Sequence, residues 1–151
     1  MGGRGASIKN VAAMVRRNAL VWARSQIGTS RYAFPATLGD WSSNSYKCNA
    51  FVIQAFNHNL IIPVIGTKRN LWTLGITNVQ YRAIDFYEGR VPGFIRVTVP
   101  VPGDIVSNGR HVGIVSGKNT TISASSKTNT VVENGWGFGS KKYRYYRYVG
   151  Q

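Results

Sequence analysis

The chain carries one cysteine, Cys48, and two histidines, His58 and His111. A thiolate attacks carbonyl carbon, and an imidazole that titrates near neutrality is the base that frees it. Cys48 follows a polar stretch and opens an apolar helical pattern, Phe51, Val52, Ala55 and Phe56, which places it in the first turn of a predicted helix. Open N–H groups and the helix dipole favour a thiolate there, and Lys47 adds positive potential. The same N–H groups could hold a developing oxyanion. A single Cys is also commonly a small buried hydrophobe, and position leaves both readings open. His111 begins a second strand after Asp104-Ile105-Val106 and an Asn108-Gly109 turn, and Gly113 beside it leaves room for close packing. His58, between Asn57 and Asn59, reads as a surface residue.

The elements that must position these groups follow from periodicity. Ile8, Val11, Ala12, Val15, Ala19, Trp22, Ala23 and Ile27 recur at helical spacing over 7–27, with Ser7 as cap and Gly28 as a left-handed terminator. Arg16, Arg17 and Arg24 fall off the apolar stripe and are expected in solvent. Residues 28–46 read as a long loop, of the kind that usually carries function. A second helix is expected over 48–59, and 60–100 is punctuated by Pro63, Gly66, Gly75, Pro92 and Gly93 so that helices and strands both fit. Strands are expected at 104–106, 111–115, 120–124, 130–133 and 143–149. Helices first and strands second make an α+β layout, with N-terminal helices packed on a C-terminal antiparallel sheet in one domain over 1–151.

Lys-Cys-Asn-Ala-Phe-Val at 47–52, then Pro-Gly-Asp-Ile-Val at 102–106 and His-Val-Gly-Ile-Val at 111–115, resembles the NlpC/P60 and CHAP group of papain-like cell-wall hydrolases. Its nucleophile box is commonly Asp-Cys-Ser-Gly-Phe-Val, so Lys47, Asn49 and Ala50 mark this sequence as divergent. The resemblance covers about 100 of the 151 residues. It implies a papain-like fold, with Cys48 as nucleophile and His111 as base. It also implies a cysteine-dependent peptidoglycan hydrolase that cuts an amide of the peptide stem or cross-link. The group's polar third residue falls on Ser123, with Glu133 or Asn134 as the CHAP-like alternatives. Tyr32 matches a family tyrosine at longer spacing and is expected to touch substrate, with Trp41 and Asn134. Small antibacterial amidase effectors, and relatives captured by eukaryotes, are members of this kind. That placement implies action outside the producing cell or in a target-cell periplasm, and an immunity protein as partner if the chain is an effector.

Composition bounds the rest. Hydrophobic residues make up 43% and aromatic residues 12%, enough for a folded core. Nineteen Lys and Arg against five Asp and Glu give a net charge of +14, which draws the protein to polyanions: nucleic acid, anionic lipid or anionic wall polymer. One cysteine excludes an intrachain disulfide. No spaced set of metal ligands and no phosphate-cradling glycine motif is present, so neither metal nor cofactor is expected. No apolar run is long enough for membrane insertion, and the first ten residues do not read as a signal peptide. Trp41, Trp72 and Trp136 fall in expected loops, where they can stack on sugar or finish the core. Lys141 to Tyr148 interleaves cations with aromatics, a pattern that suits single-stranded nucleic acid but equally an amphipathic terminal strand, the reading favoured here. The competing functions are therefore a basic nucleic-acid-binding module, or a papain-like protease or deamidase acting on a protein.

Overall fold

A computed structural model describes residues 8–28, 31–32, 45–46, 48–57 and 81–150. Helix α1 (Ile8–Ser25) is followed by β1 (Arg31–Tyr32), β2 (Ser45–Tyr46), α2 (Cys48–Asn57), α3 (Ala83–Tyr87), β3 (Phe94–Val97), β4 (Ile105–Ser107), β5 (Val112–Gly117), β6 (Thr120–Ser125), β7 (Thr130–Asn134) and β8 (Arg144–Tyr148). The α+β expectation holds. Strands β3 to β8 form one antiparallel sheet in the order β3-β8-β4-β5-β6-β7, and the helices pack against it.

Helix α1 buries Ala12, Val15, Ala19 and Ala23, a stripe at spacings of three and four. Three alanines in that stripe let α1 approach α2 closely. Gly28 ends the helical turn at φ +77°, and its N–H donates to Val131 O at 2.8 Å, tying the end of α1 to β7. Arg24 is exposed as expected, whereas Arg16 is half-buried. The Arg16 guanidinium donates to Tyr148 O on β8, and Arg24 donates to Ser116 O on β5 while pairing with Glu133 at 3.2 Å. Long cationic side chains leave the apolar stripe and still reach carbonyls at the ends of neighbouring strands.

Helix α2 is buried from Cys48 to Phe56, and Phe51, Val52, Ile53, Ala55 and Phe56 have no exposed surface. A helix whose buried residues are all apolar but Asn49 and Gln54 belongs in a core. It lies between α1 and the β5–β6 hairpin. Each fully buried Phe contributes about 2 kcal/mol from apolar transfer. Phe56, Phe94 and Tyr148 lie with ring centroids 5.2–5.8 Å apart, joining α2 to β3 and β8.

Two regions read differently from the sequence. The expected loop 28–46 contains β1 and β2, a short parallel pair. The ambiguous stretch 60–100 supplies α3 and edge strand β3. The Lys141–Tyr148 segment supplies the expected strand in its Arg144–Tyr148 part, inserted between β3 and β4. Ser7, Trp41, Lys47, His58 and Trp72 lie outside the described residues.

Candidate active site

The Pro102-Gly103-Asp104 segment is the foundation of the site. Gly103 sits at φ +97°, and a Cβ there would lie 3.1 Å from Arg16 O, so only glycine permits this approach to α1. Asp104 has no exposed surface. It accepts from Val101 N at 2.8 Å and takes a two-point contact from Arg147 of β8, at 2.9 and 2.8 Å. Charge-assisted, bidentate contacts of this kind are the strong ones. Asp104 therefore fixes the start of β4 against β8.

The next turn sets His111. Asn108 Oδ1 accepts from Arg110 N at 2.9 Å and His111 N at 2.8 Å, and Asn108 N donates to His111 O at 3.1 Å. Gly109 takes φ +90° inside this turn. Buried Ser107 accepts from Gly109 N at 3.1 Å and donates to Ala83 O at 2.7 Å, which ties the turn to α3. His111 then stands immediately before β5, at the open end of the β5–β6 hairpin.

Across that hairpin, Ser123 Oγ lies 3.0 Å from His111 Nε2. When the ring carries its proton on Nε2, Ser123 accepts it and Nδ1 keeps a lone pair. Trp136 meets the imidazole edge-on, with centroids 4.5 Å apart and planes at 85°. Burial lowers the His111 pKa from 6.5 to about 4. A hydroxyl orients the ring but brings no negative charge to offset that burial. Gly113, the position between the paired residues, has no room for a side chain: a Cβ would lie 2.5 Å from Thr121 Cγ2 and 3.0 Å from Ser123 Cβ.

Of the alternative partners for His111, Glu133 pairs with Arg24, and Asn134 Oδ1 accepts from Trp136 N at 3.1 Å. Asn134 is exposed at the end of β7. Tyr32 is in β1, whose neighbours are β2, β6 and β7. Trp41 is outside the described residues.

Cys48 is the first residue of α2 and shows 8% exposure, because α2 is sunk in the core from its first turn. It shares its buried cluster with Val112 and Ala124, the chain neighbours of His111 and Ser123, and α2 packs on both β5 and β6. Asn49, beside it, donates from Nδ2 to Tyr81 O at 2.8 Å in a buried contact. Sequence reasoning missed this contact and the Ser107–Ala83 bond. Both acceptors are backbone carbonyls of a distant segment, which leave no local signal.

Among the described residues, no group of three or more His, Cys, Asp or Glu side chains gathers to hold a metal ion, and no helix is long and apolar enough to cross a membrane.

No family model and no curated protein matches the sequence. Solved structures do share its fold. The peptidoglycan hydrolase RipB from Mycobacterium tuberculosis superimposes with a TM-score of 0.62 at 14% identity, over 100% of this chain and 72% of that one. Rv1477, a hypothetical invasion protein of Mycobacterium tuberculosis, gives a TM-score of 0.60 at 16% identity, over 95% of this chain and 66% of that one. The chain thus has an α+β fold like that of these two proteins.

Proposed function

We propose that this protein is a cysteine-dependent peptidoglycan hydrolase of papain-like fold, one domain over 1–151, that cuts an amide of the wall's peptide stem or cross-link. The observation that carries the reading is the His111–Ser123 pair at 3.0 Å, on the hairpin against which the Cys48-bearing helix packs. The likeness in fold to a peptidoglycan hydrolase supports the choice of substrate. Charge supports it as well, since +14 holds the protein on an anionic wall.

In this reading Cys48 Sγ attacks the amide carbonyl while its proton passes to His111 Nδ1. Ser123 holds the ring through Nε2, and N–H groups at the start of α2 receive the oxyanion. The imidazolium gives its proton to the leaving amine, leaving an acyl-enzyme. His111 then takes a proton from water, which attacks the thioester and releases the acid and the thiol. Tyr32, Trp41 and Asn134 contact the substrate. The enzyme acts outside the cell that makes it or in a target-cell periplasm, as an antibacterial agent, with an immunity protein as partner if it is an effector.

The basic nucleic-acid module is the weaker alternative. Its main sequence support, the Tyr/Arg segment, is an interior strand whose Arg147 is engaged by Asp104 and whose Arg144 lies 4.0 Å over the Tyr87 ring. The deciding experiment treats purified sacculi with the wild-type chain and with Cys48→Ala. New free amines should appear only with the wild type, and mass spectra of the released muropeptides would name the bond. Equal amine release by both proteins would refute the proposal.

A further inference from the structure

Two buried hydrogen bonds converge on one short segment, residues 81–83, from the two halves of the proposed site. From the first half, Asn49, next to the nucleophile, donates to Tyr81 O at 2.8 Å. From the second, Ser107 donates to Ala83 O at 2.7 Å, and its oxygen also accepts from Gly109 N, inside the turn whose Asn108 holds His111 N. Asn49, Ser107, Tyr81 and Ala83 are all buried. Residues 81–83 therefore bridge the start of α2 to the turn that presents the imidazole.

We propose that Asn49 and Ser107 are positioning residues, joined through residues 81–83 into a strut that sets the distance between Cys48 and His111. The inference rests on the hydrolase reading, because it assigns the strut to the spacing of that nucleophile and base. The physical case is one of tolerance. Buried amide and hydroxyl donors aimed at carbonyls allow little play, since a carbonyl left without its donor in the core is costly. The apolar side chains of α2 that share a core cluster with the hairpin fix separation better than register along the helix axis. A misplacement of about 1 Å in a reacting pair can cost on the order of a hundred-fold in rate. Asn49 is also where the sequence departs from the serine usual in similar nucleophile boxes, and its longer side chain spans to Tyr81 O.

The test is a double-mutant cycle with Asn49→Leu, Ser107→Ala and the pair, in the full chain, after near-UV circular dichroism shows each variant folded. Ser107→Cys, which keeps a weak donor of similar size, replaces Ser107→Ala if that variant does not fold. On a soluble stem-peptide amide, each single variant should lose ten-fold or more in kcat with KM within two-fold. The pair should lose little more than either one, because breaking a strut twice adds nothing. The ring signals of His111 in NMR should move in Asn49→Leu, although Asn49 makes no bond to that ring. Wild-type kcat in both single variants, or losses that multiply in the pair, would overturn the strut while leaving the hydrolase reading intact. If the wild type cleaves nothing, the hydrolase reading fails, and the His111 signals still decide the strut: unmoved signals in Asn49→Leu overturn it.

Discussion

Acid should weaken this protein through His111, and the size of the effect follows from the site. In the unfolded chain the imidazole titrates near 6.5; in the fold, burial beside Trp136 and a neutral hydroxyl lowers it to about 4. As pH falls through 6.5 the unfolded chain takes up this proton while the folded chain refuses it. Stability from the neutral ring is therefore fully present above about 6.5, drains away toward about 4, and is constant below that. At ~1.4 kcal/mol for each factor of ten in proton affinity, the loss across that window is about 3 kcal/mol. A stability curve sums every ionisable group, so the measurement must be a difference. Urea midpoints for wild type and His111→Gln, taken at intervals from pH 7.5 to 4, should converge as pH falls, by about 3 kcal/mol in total. Parallel curves would refute the reasoning. So would a native-state imidazole that titrates at or above 6.5 by NMR, because that would mean an imidazolium held by a neighbouring anion. The chemistry follows the same sign. A ring that stays neutral is a general base before attack, so the acid limb of kcat/KM should fall near pH 4 and not near 6.5.

Three further outcomes follow from the same geometry. Ser123→Ala should lower kcat about five- to ten-fold with little change in KM, as expected for one neutral hydrogen bond worth ~1 kcal/mol, measured by amine release from a stem-peptide substrate. Arg147→Ala leaves the fully buried Asp104 carboxylate without its bidentate partner and should cost about 3 kcal/mol in urea denaturation, whereas Arg90→Ala, at the exposed Asp85 pair, should cost under ~1 kcal/mol. Gly113→Ala should destabilise the fold by about 1–3 kcal/mol and reduce activity beyond that loss, because the added methyl meets Thr121 Cγ2 at 2.5 Å and crowds Ser123 away from His111.

The sequence made some of this legible and hid the rest for definite physical reasons. The α1 stripe and the strands from 105 onward are set by local periodicity, and they lie within a residue or two of their expected ends. Strand β3 was hidden because its register comes from pairing with β8, 50 residues further along the chain, and because Phe94 buries while Ile95 and Arg96 face solvent, a pattern with no clean alternation. The β1–β2 pair was hidden because two-residue strands are too short to show any period.

At the site, what could be read were the residue types that do chemistry; Ser123 came into reach only through the resemblance, and the hairpin register sets it beside His111. What could not be read were the residues that hold those groups in place. Asn49, Ser107 and Asp104 act through carbonyls and a guanidinium supplied by distant segments, and a buried polar side chain looks in sequence like any surface one. Their burial is the distinguishing fact. A polar group taken out of water costs free energy unless a partner meets it. Three such groups, on α2 and at the two ends of β4, surround the elements that carry Cys48 and His111. Their contacts fix around the proposed dyad what apolar packing alone would leave loose.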